Sequence, residues 1–537
     1  MRLVKADEMK RLDREAIEIL GIPGIVLMEN AARGVSEVIY RNVSGTSAVI
    51  VCGKGNNGGD GLAVARNLYN LGYDVEVVIT AEIDELKGDA RTNAEILSKL
   101  PVPVHVVKEE NRLVEVYSLL KEADFVVDAI FGTGLSKPAE GFYASLIEII
   151  NKGAKKIVSV DIPSGLSSDT GEVIGPHISA DLTVTFAFPK VAHVMPPACY
   201  YVGELFVVDI SIPEDIPFLL GPQRFMLTLD EVAFTLPERE VMSHKYTYGH
   251  VAVIGGSKGK TGAPSMAAEA ALRAGGGLST LIVPESLNPT FETKLTEVMT
   301  VPIRDGSKGY FGIDAVDEVL KVIENGKFSA VVIGPGLGSE PETYEFAREV
   351  LKSVELPVVV DADGLNALAG STEILKLKEQ EVVITPHVGE FSRLTGLSKE
   401  EILKAPFEHA VEFANRHGVT VVLKSGRTVV ATPDGKSYVN IIGNPGMATA
   451  GTGDVLSGII GAMLGMGIDG EDSAKFSVFL HSLSGDLAAG ELTEEGMKAC
   501  DLIDFLPKAI KTLKEAERNH RRSKWAFVTE LKEIIGV

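Results

Sequence analysis

The chain is short of cysteine, tryptophan, glutamine and positive charge, and it has no long apolar run. Three cysteines (Cys52, Cys199 and Cys500) in 537 residues are too few and too scattered for a disulfide framework or a zinc cluster. Cys52 closes an apolar, strand-like run, where a buried inert thiol is expected rather than a nucleophile. Trp525 is the only tryptophan, and Gln223 and Gln380 are the only glutamines beside abundant Glu and Lys, a bias of proteins from hot environments. No stretch approaches the roughly 18–20 uninterrupted apolar residues of a membrane helix. The opening MRLVKADEMKRLDREAIEIL is charged and amphipathic, without the apolar block of a secretory signal. A cytoplasmic protein with no membrane partner is expected. Lys plus Arg, 52, less Asp plus Glu, 74, leaves a net charge of −22, which argues against nucleic acid or anionic lipid as partners. Local anion sites stay open, because backbone amides bind phosphate whatever the net charge.

What is present reads as a folded two-domain chain. Hydrophobic residues make up 45% and charged residues 23%, enough for a buried core, and the length exceeds the roughly 250–300 residues of a single core. Short β-branched runs alternate with helical stretches, the pattern of a mostly parallel sheet covered by helices. Strand candidates in the first half are 47–53, 74–80, 124–132, 156–165, 182–188 and 205–210; the second half restarts at 249–257 and continues at 278–284, 329–338, 357–368 and 381–391. A hairpin over 419–440 turns at Pro433-Asp434-Gly435. The stretch 212–248 carries Pro213, Pro217, Pro222 and Pro237 without a sustained period and reads as the connection. The expected organisation is a first domain over 1–211, a linker over 212–248, a second domain over 249–512, and a tail over 513–537, holding Trp525, as an appendage outside either core.

Chemistry-bearing residues gather where strands meet glycine. VCGKGNNGGDGLAVARNLYNLG, from Val51 to Gly72, runs a strand through a tight turn into a helix, so that successive amides and the helix N-terminus face one anion. Asn56, Asn57 and Asp60 add side-chain groups. The pattern is neither a Walker A loop nor the dinucleotide GxGxxG. Two later strand ends repeat the theme, with Asp128 before Gly132-Thr133-Gly134 and Asp161 before Ser164. Ligands of open parallel sheets bind beyond the carboxyl ends of strands, so the three turns are expected to converge. Lys190, after another strand, reads equally as a cation or proton donor for that site and as a solvated lysine.

The second half carries NPGMATAGTGDVLSGIIGAML, Asn444 to Leu464. Gly451 and Gly453 before a helix make an amide-rich hole for a transferring phosphoryl group, and Asp454 stands there to take a proton from an attacking hydroxyl. Asp361, Asp363 and Asn366 at one strand end suit Mg²⁺ or its waters. His387, Glu390 and Arg393 occupy the next loop, and Lys424 with Ser425-Gly426-Arg427-Thr428 suits nucleotide phosphates.

GNNGGDG, DAIFGTG and VDIPSG together resemble the epimerase domain that acts on hydrated NAD(P)H. PHVGEF, KSGRT and NPGMATAGTGDVLSG resemble the nucleotide-dependent NAD(P)H-hydrate dehydratases of the ribokinase-like superfamily. Fused in this order, over about residues 1–512, they resemble the bifunctional NAD(P)H-hydrate repair enzymes of prokaryotes. The fold implied is α/β, two Rossmann-like and ribokinase-like three-layer αβα domains with mostly parallel sheets.

The resemblance implies that the first domain interconverts the R and S hydrates, NADHX and NADPHX. Asn56, Asn57, Gly58, Gly59 and Asp60 would cradle phosphates, and Gly132, Thr133, Gly134, Leu135, Ser136, Lys137 and Pro138 would line the same site. Asp161 would meet the nicotinamide end as a proton-transfer group, and Asn57, Asp128 and Ser164 would hold K⁺. In the second domain Asp454 would be the base, with Ala263, Gly336 and His387 on the hydrate, and Lys424, Ser425, Gly426, Arg427, Thr428, Gly451 and Gly453 on the nucleotide. The nucleotide would be ADP with Mg²⁺, with ATP the less favoured donor, and a homo-oligomer is expected. The competing reading is a ribokinase-like small-molecule or vitamin-precursor kinase behind a non-catalytic N-terminal binding domain.

Overall fold

The computed structural model describes residues 1–213, 223–377, 379–519 and 528–535. The chain divides into two compact units, Met1–Gly221 with Ser523–Val537, and Pro222–Arg522.

The sheet of the first unit runs, edge to edge, Val528–Glu530, Glu204–Val208, Leu182–Phe186, Ile157–Val160, Phe125–Ala129, Ser47–Cys52, Asp74–Ile79 and Val104–Val106. Its pairs are parallel except the one made by Val528–Glu530. Parallel strands are buried on both faces, which is why Val49 and Ile50, and Val126 and Val127, are all core residues although each pair points to opposite faces. From Ser47–Cys52 the chain moves outward to one edge, then returns to the other side of that strand at Phe125–Ala129. The order reverses there, and the carboxyl ends of these two strands carry the GKGNNGGDG and DAIFGTG turns. A crevice at such a reversal is where doubly wound sheets bind ligands.

The second unit repeats the plan. Strands Thr420–Leu423, Val382–Ile384, Val358–Val360, Ala330–Ile333, His250–Ile254, Leu278–Pro284 and Met299–Ile303 are parallel neighbours in that order. The reversal falls between His250–Ile254 and Ala330–Ile333. The expected hairpin is present: Val429–Ala431 and Lys436–Val439 pair antiparallel about Gly435, whose φ is +92°. Helix Thr452–Gly465 lies against helix Gly262–Arg273 and the central strands.

Two segments differ from the sequence expectation. The stretch 212–248 was read as the connection, yet Gln223–Met226 forms a strand parallel to Lys436–Val439, and Thr228 caps helix Leu229–Ala233 through Glu231. Pro217 and Pro222 lie outside the described residues. The tail was read as an appendage, yet Val528–Glu530 pairs with Phe206 to Val208, and Leu531 packs on the cluster of Ile162, Leu166 and Leu205. Trp525 lies outside the described residues. Val104–Val106 and Met299–Ile303, both edge strands, had no clear sequence signal.

Deleting residues 523–537 removes a few net hydrogen bonds of about 1 kcal/mol each. The thermal transition of the first unit should then fall by about 5 °C, with the transition of the second unit unmoved. Scanning calorimetry of the truncated chain reads both.

Candidate active sites

In the first unit, helix Asn56–Asn70 starts directly after the turn that ends Ser47–Cys52. A Cβ on Gly58 would come within 1.9 Å of the Gly53 carbonyl oxygen, so any side chain there pushes the turn open. The amide of Asn57's side chain (Nδ2) is buried without a partner. Gly132 lies beside it, its Cβ position 3.4 Å from Asn57, and the run from Gly132 to Pro138 leads outward to exposed Gly134, Ser136, Lys137 and Pro138. The turns after Ser47–Cys52 and Phe125–Ala129 therefore meet, as expected from sequence.

Asp128 is fully buried. Its carboxylate accepts from Ser164 Oγ at 2.6 Å, from Ser159 Oγ and Ser164 N at 2.9 Å, and from Ile130 N at 3.3 Å. Burial raises its pKa, and these four donors pull against the rise. All are neutral; among the described residues no cationic side chain bonds it.

Asp161 adopts φ +66° just past Ile157–Val160, a left-handed conformation that Asp tolerates better than most residues. Its Oδ1 receives Lys190 Nζ at 2.6 Å and Thr185 Oγ1 at 3.1 Å. Burial would raise the Asp161 pKa, but the Lys190 charge and hydrogen bond outweigh it and hold the carboxylate below its usual range. Lys190 is 0% exposed and also donates to Thr185 Oγ1 at 2.8 Å and to the Phe186 carbonyl at 3.3 Å. The solvated reading of Lys190 is thereby overturned. Two more carboxylates stand near the pair. Burial, then the charges of Asp161 and Asp13, hold Asp60 well above the usual carboxylate range. Asp13, from the N-terminal helix, is pushed up to about 6 by burial, with Lys190 and Asp161 acting in opposite directions. Cys52 is buried and its thiol held far up by burial, as an inert core cysteine should be.

In the second unit, Gly451 caps helix Thr452–Gly465 at φ +100°, and a Cβ there would lie 2.5 Å from Met266 Cε; both conditions demand glycine. Asp454 sits in the first turn, and its carboxylate has no hydrogen-bond partner among the described residues. Burial, then the charge of Asp361, push it up to about 7, against the pull of Lys424. Lys424 Nζ donates to Asp361 at 2.8 Å and lies 3.1 Å from the Cβ position of Gly453, so the ammonium stands at the glycine hole. Burial would lower the Lys424 pKa; the charges of Asp361 and Glu390 outweigh it. Ser425 and Gly426 form an exposed rim, while the Arg427 guanidinium is tied to the Ile441 carbonyl.

His387 caps helix Val388–Thr395. Its Nδ1 accepts from Gly389 N at 2.9 Å and Glu390 N at 3.2 Å, and Glu390 accepts from His387 N at 2.8 Å. Nδ1 therefore carries no proton, and burial, then Lys424, lower the pKa. The ring is a neutral donor through Nε2, which is the form suited to a substrate amide or hydroxyl. Ala263 opens helix Gly262–Arg273, and Gly336 (φ +62°) follows Ala330–Ile333, beside the Lys260 carbonyl.

Asp361, Asp363 and Asn366, which read as suited to Mg²⁺ or its waters, are each engaged by a basic side chain. Asp361 is bound to Lys424, Asp363 to Lys260 at 3.0 Å and Gly338 N at 2.9 Å, and Asn366 to Arg393 at 2.9 Å. Among the described residues no group of three or more His, Cys, Asp or Glu is placed to hold a metal ion. Sequence reading also missed Asp486, which accepts from Gly443 N and Asn444 Nδ2, each at 2.9 Å, and anchors the loop leading to the hole.

Two doubly wound domains each set a glycine turn and buried charged side chains beyond their strand ends, the arrangement of a two-site α/β enzyme. Comparison with known proteins agrees. Residues 24–192 match the family described as the YjeF-related protein N-terminus, and residues 251–508 the NAD(P)H-hydrate dehydratases. Over 96% of its length the chain is 44% identical to the bifunctional NAD(P)H-hydrate repair enzyme Nnr of Moorella thermoacetica, covering 98% of that protein. It is 41% identical to the protein of that name in Thermofilum pendens, covering 97% of it. Among solved structures, an ADP/ATP-dependent NAD(P)H-hydrate dehydratase of Bacillus subtilis is 32% identical over 54% of this chain and 98% of that one, with TM-score 0.47. The chain belongs to the family of bifunctional NAD(P)H-hydrate repair enzymes. Among the described residues, no helix is long and apolar enough to cross a membrane.

A base must be ionised to act, so phosphoryl transfer in the second domain should fall as pH drops through the Asp454 value of about 7 and level off above it. A rate–pH profile at saturating nucleotide measures this; a rate independent of pH between 5 and 8 would count against Asp454 as the base.

Proposed function

We propose that the chain restores hydrated NADH and NADPH, with epimerisation in the first domain and nucleotide-driven dehydration in the second. The observation that carries this reading is the pair of sites, each beyond strand ends of its own parallel sheet, and only the second equipped with Asp454 at a glycine hole. A simple kinase has no use for the first.

In the first domain the amides of Asn56 to Asp60 and the run from Gly132 to Pro138 hold the phosphates, and Asp161 meets the nicotinamide ring. Asn57, Asp128 and Ser164 would hold K⁺. Their chemistry fits: Asp128 is a buried carboxyl group with only neutral donors, and oxygen ligands suit a hard cation. The ion would supply positive charge there. In the second domain Asp454 takes the proton of the ring hydroxyl as its oxygen attacks the terminal phosphorus of the nucleotide. The amides of Gly451 and Gly453 and the Lys424 ammonium stabilise the charge that develops on the phosphoryl oxygens. Phosphate, a better leaving group than hydroxide, then departs from the carbon beside the ring nitrogen, and loss of a proton from the adjacent carbon restores the double bond. Ala263, Gly336 and His387 orient the hydrate, and the stretch from Lys424 to Thr428 holds the nucleotide. The donor is ADP in preference to ATP. Mg²⁺ would be held by the nucleotide phosphates, with Asp361 and Asp363 close enough in the chain to reach it or its waters. A homo-oligomer in the cytoplasm completes the reading, supported by exposed Tyr40 and Leu71 lining a groove along helices Gly24–Asn42 and Asn56–Asn70; light scattering checks the mass.

The test uses mixed R and S NADH hydrates with Mg²⁺, K⁺ and either ADP or ATP, following the return of reduced-nicotinamide absorbance. Full recovery is expected, faster with ADP. Recovery that stops at the S fraction would remove the epimerase, and a stable phosphorylated product would mark a kinase. Asp454→Asn should lower dehydration at least about a hundredfold while epimerisation stays near wild type. Exchanging K⁺ for a large organic cation should slow epimerisation more than dehydration; equal slowing would take the ion away from the first domain.

A further inference from the structure

We propose that Asp13, on the buried face of helix Ala6–Glu18, is a second proton-transfer residue of the epimerase site, working beside Asp161. The inference rests on the epimerase reading above and adds a residue to it.

Helix Ala6–Glu18 buries Ala6, Met9, Leu12 and Ala16. Asp13 lies four residues after Met9 and three before Ala16, on that same face, where packing alone calls for an apolar side chain. Among the described residues its carboxylate makes no hydrogen bond and no ion pair. Asp13 is half-buried, and a carboxylate partly withdrawn from water without a partner lowers stability, so its presence there points to a use. The helix start is fixed to the strand end that delivers Lys190. Val4 N donates to the Pro189 carbonyl at 3.1 Å, Val4 bridges Lys190 in parallel register, and Ala6 N donates to Asp169 at 2.6 Å.

Lys190 has nothing left to offer Asp13. An ammonium has three protons, and those of Lys190 go to Asp161, Thr185 and the Phe186 carbonyl. The result is a division of labour among carboxylates around one cation. Asp161 is held ionised by Lys190. Burial, then its neighbours Asp161 and Asp13, raise the pKa of Asp60, which makes no hydrogen bond among the described residues, well above the usual carboxylate range. Asp13, at about 6, is the one poised to give up and regain a proton near neutral pH. The charged groups facing it are Lys190, Asp161 and Asp60; His193, buried against Lys190 and Asp161, is pulled down to about 3 by burial, then by Lys190, and stays neutral.

The chemistry needs such a group. Water adds to an enamine by placing its hydroxyl on the carbon next to nitrogen. To invert that carbon, the ring nitrogen's electron pair expels the hydroxyl, which leaves as water after taking the proton of Asp13. Water then adds to the other face of the cationic ring and gives its surplus proton to Asp161. Return of that proton from Asp161 to Asp13 resets the site. One water leaves and one enters, and nothing is oxidised or reduced.

The test is made on the full chain, with interconversion of R and S NADH hydrates followed by chromatography without nucleotide. Dehydration with ADP serves as the internal check that the chain is intact. Wild-type kcat for epimerisation should be flat at low pH and fall as pH rises through about 6, because the protonated form of Asp13 is the active one. Asp13→Asn should lower kcat about a hundredfold with KM within about threefold, and the residual rate should lose that fall. Asp13→Glu, which keeps a carboxyl group, should retain at least about a tenth of the activity and the same pH limb. Epimerisation of Asp13→Asn within about tenfold of wild type would overturn the proposal. So would a loss that leaves the shape of the pH profile unchanged, or an equal loss in the Asn and Glu variants, since each marks a packing residue. Asp161→Asn is run in parallel: if it too retains epimerisation, the reading of the whole site falls, not the role of Asp13 alone.

Discussion

A carboxylate taken out of water must find a cation or keep its proton, and both sites are built on that constraint. In the first domain Asp161 leaves one strand end and meets Lys190 from the next; in the second Asp361 leaves a strand end and meets Lys424 from a strand two places away. Each pair then sets the protonation of its neighbours. Asp161 is kept ionised; burial, then Asp161, raise the pKa of Asp60, and burial, then Asp361, lift Asp454 to about 7. Breaking a buried pair by removing one partner costs about 3–5 kcal/mol, so these lysines tie stability to chemistry.

The two sheets share a second device. Parallel strands put every carboxyl end on one side, and the helices that follow bring their amino ends to the same side. Glycine decides how close the backbone comes. Gly58 lets the cradle turn close on itself, and Gly451 lets the hole open at a left-handed residue against Met266. The first domain sets its glycine turn near the buried Asp161–Lys190 pair, and the second sets its own beside Asp454 and the Lys424 ammonium.

The fold was largely legible in the sequence because buried parallel strands read as unbroken β-branched runs. The central strands of both sheets follow that rule. Val104–Val106 is only three residues, directly after Pro101 and Pro103, and Met299–Ile303 contains Pro302 and is half exposed, so neither carries the pattern of a buried strand. The glycine motifs located both sites. What sequence could not supply was who pairs with whom. Asp363 looked like a free metal ligand because Lys260 stands 103 residues away, and Lys190 looked as easily solvated because its partner is 29 residues back. Asp13 had one local signal, an acid on the apolar stripe of an amphipathic helix, and it went unread.

The strand Val528–Glu530 gives the chain an unusual itinerary. The backbone departs from the first unit at Gly221, builds the whole second unit from Pro222 to Arg522, and comes back for the last strand of the first sheet. The second domain is therefore an insertion within the first, not a neighbour placed after it. On the ribosome the epimerase sheet waits for its edge until the dehydratase has been synthesised. A gene cut between the two halves would hand the edge strand to the wrong product.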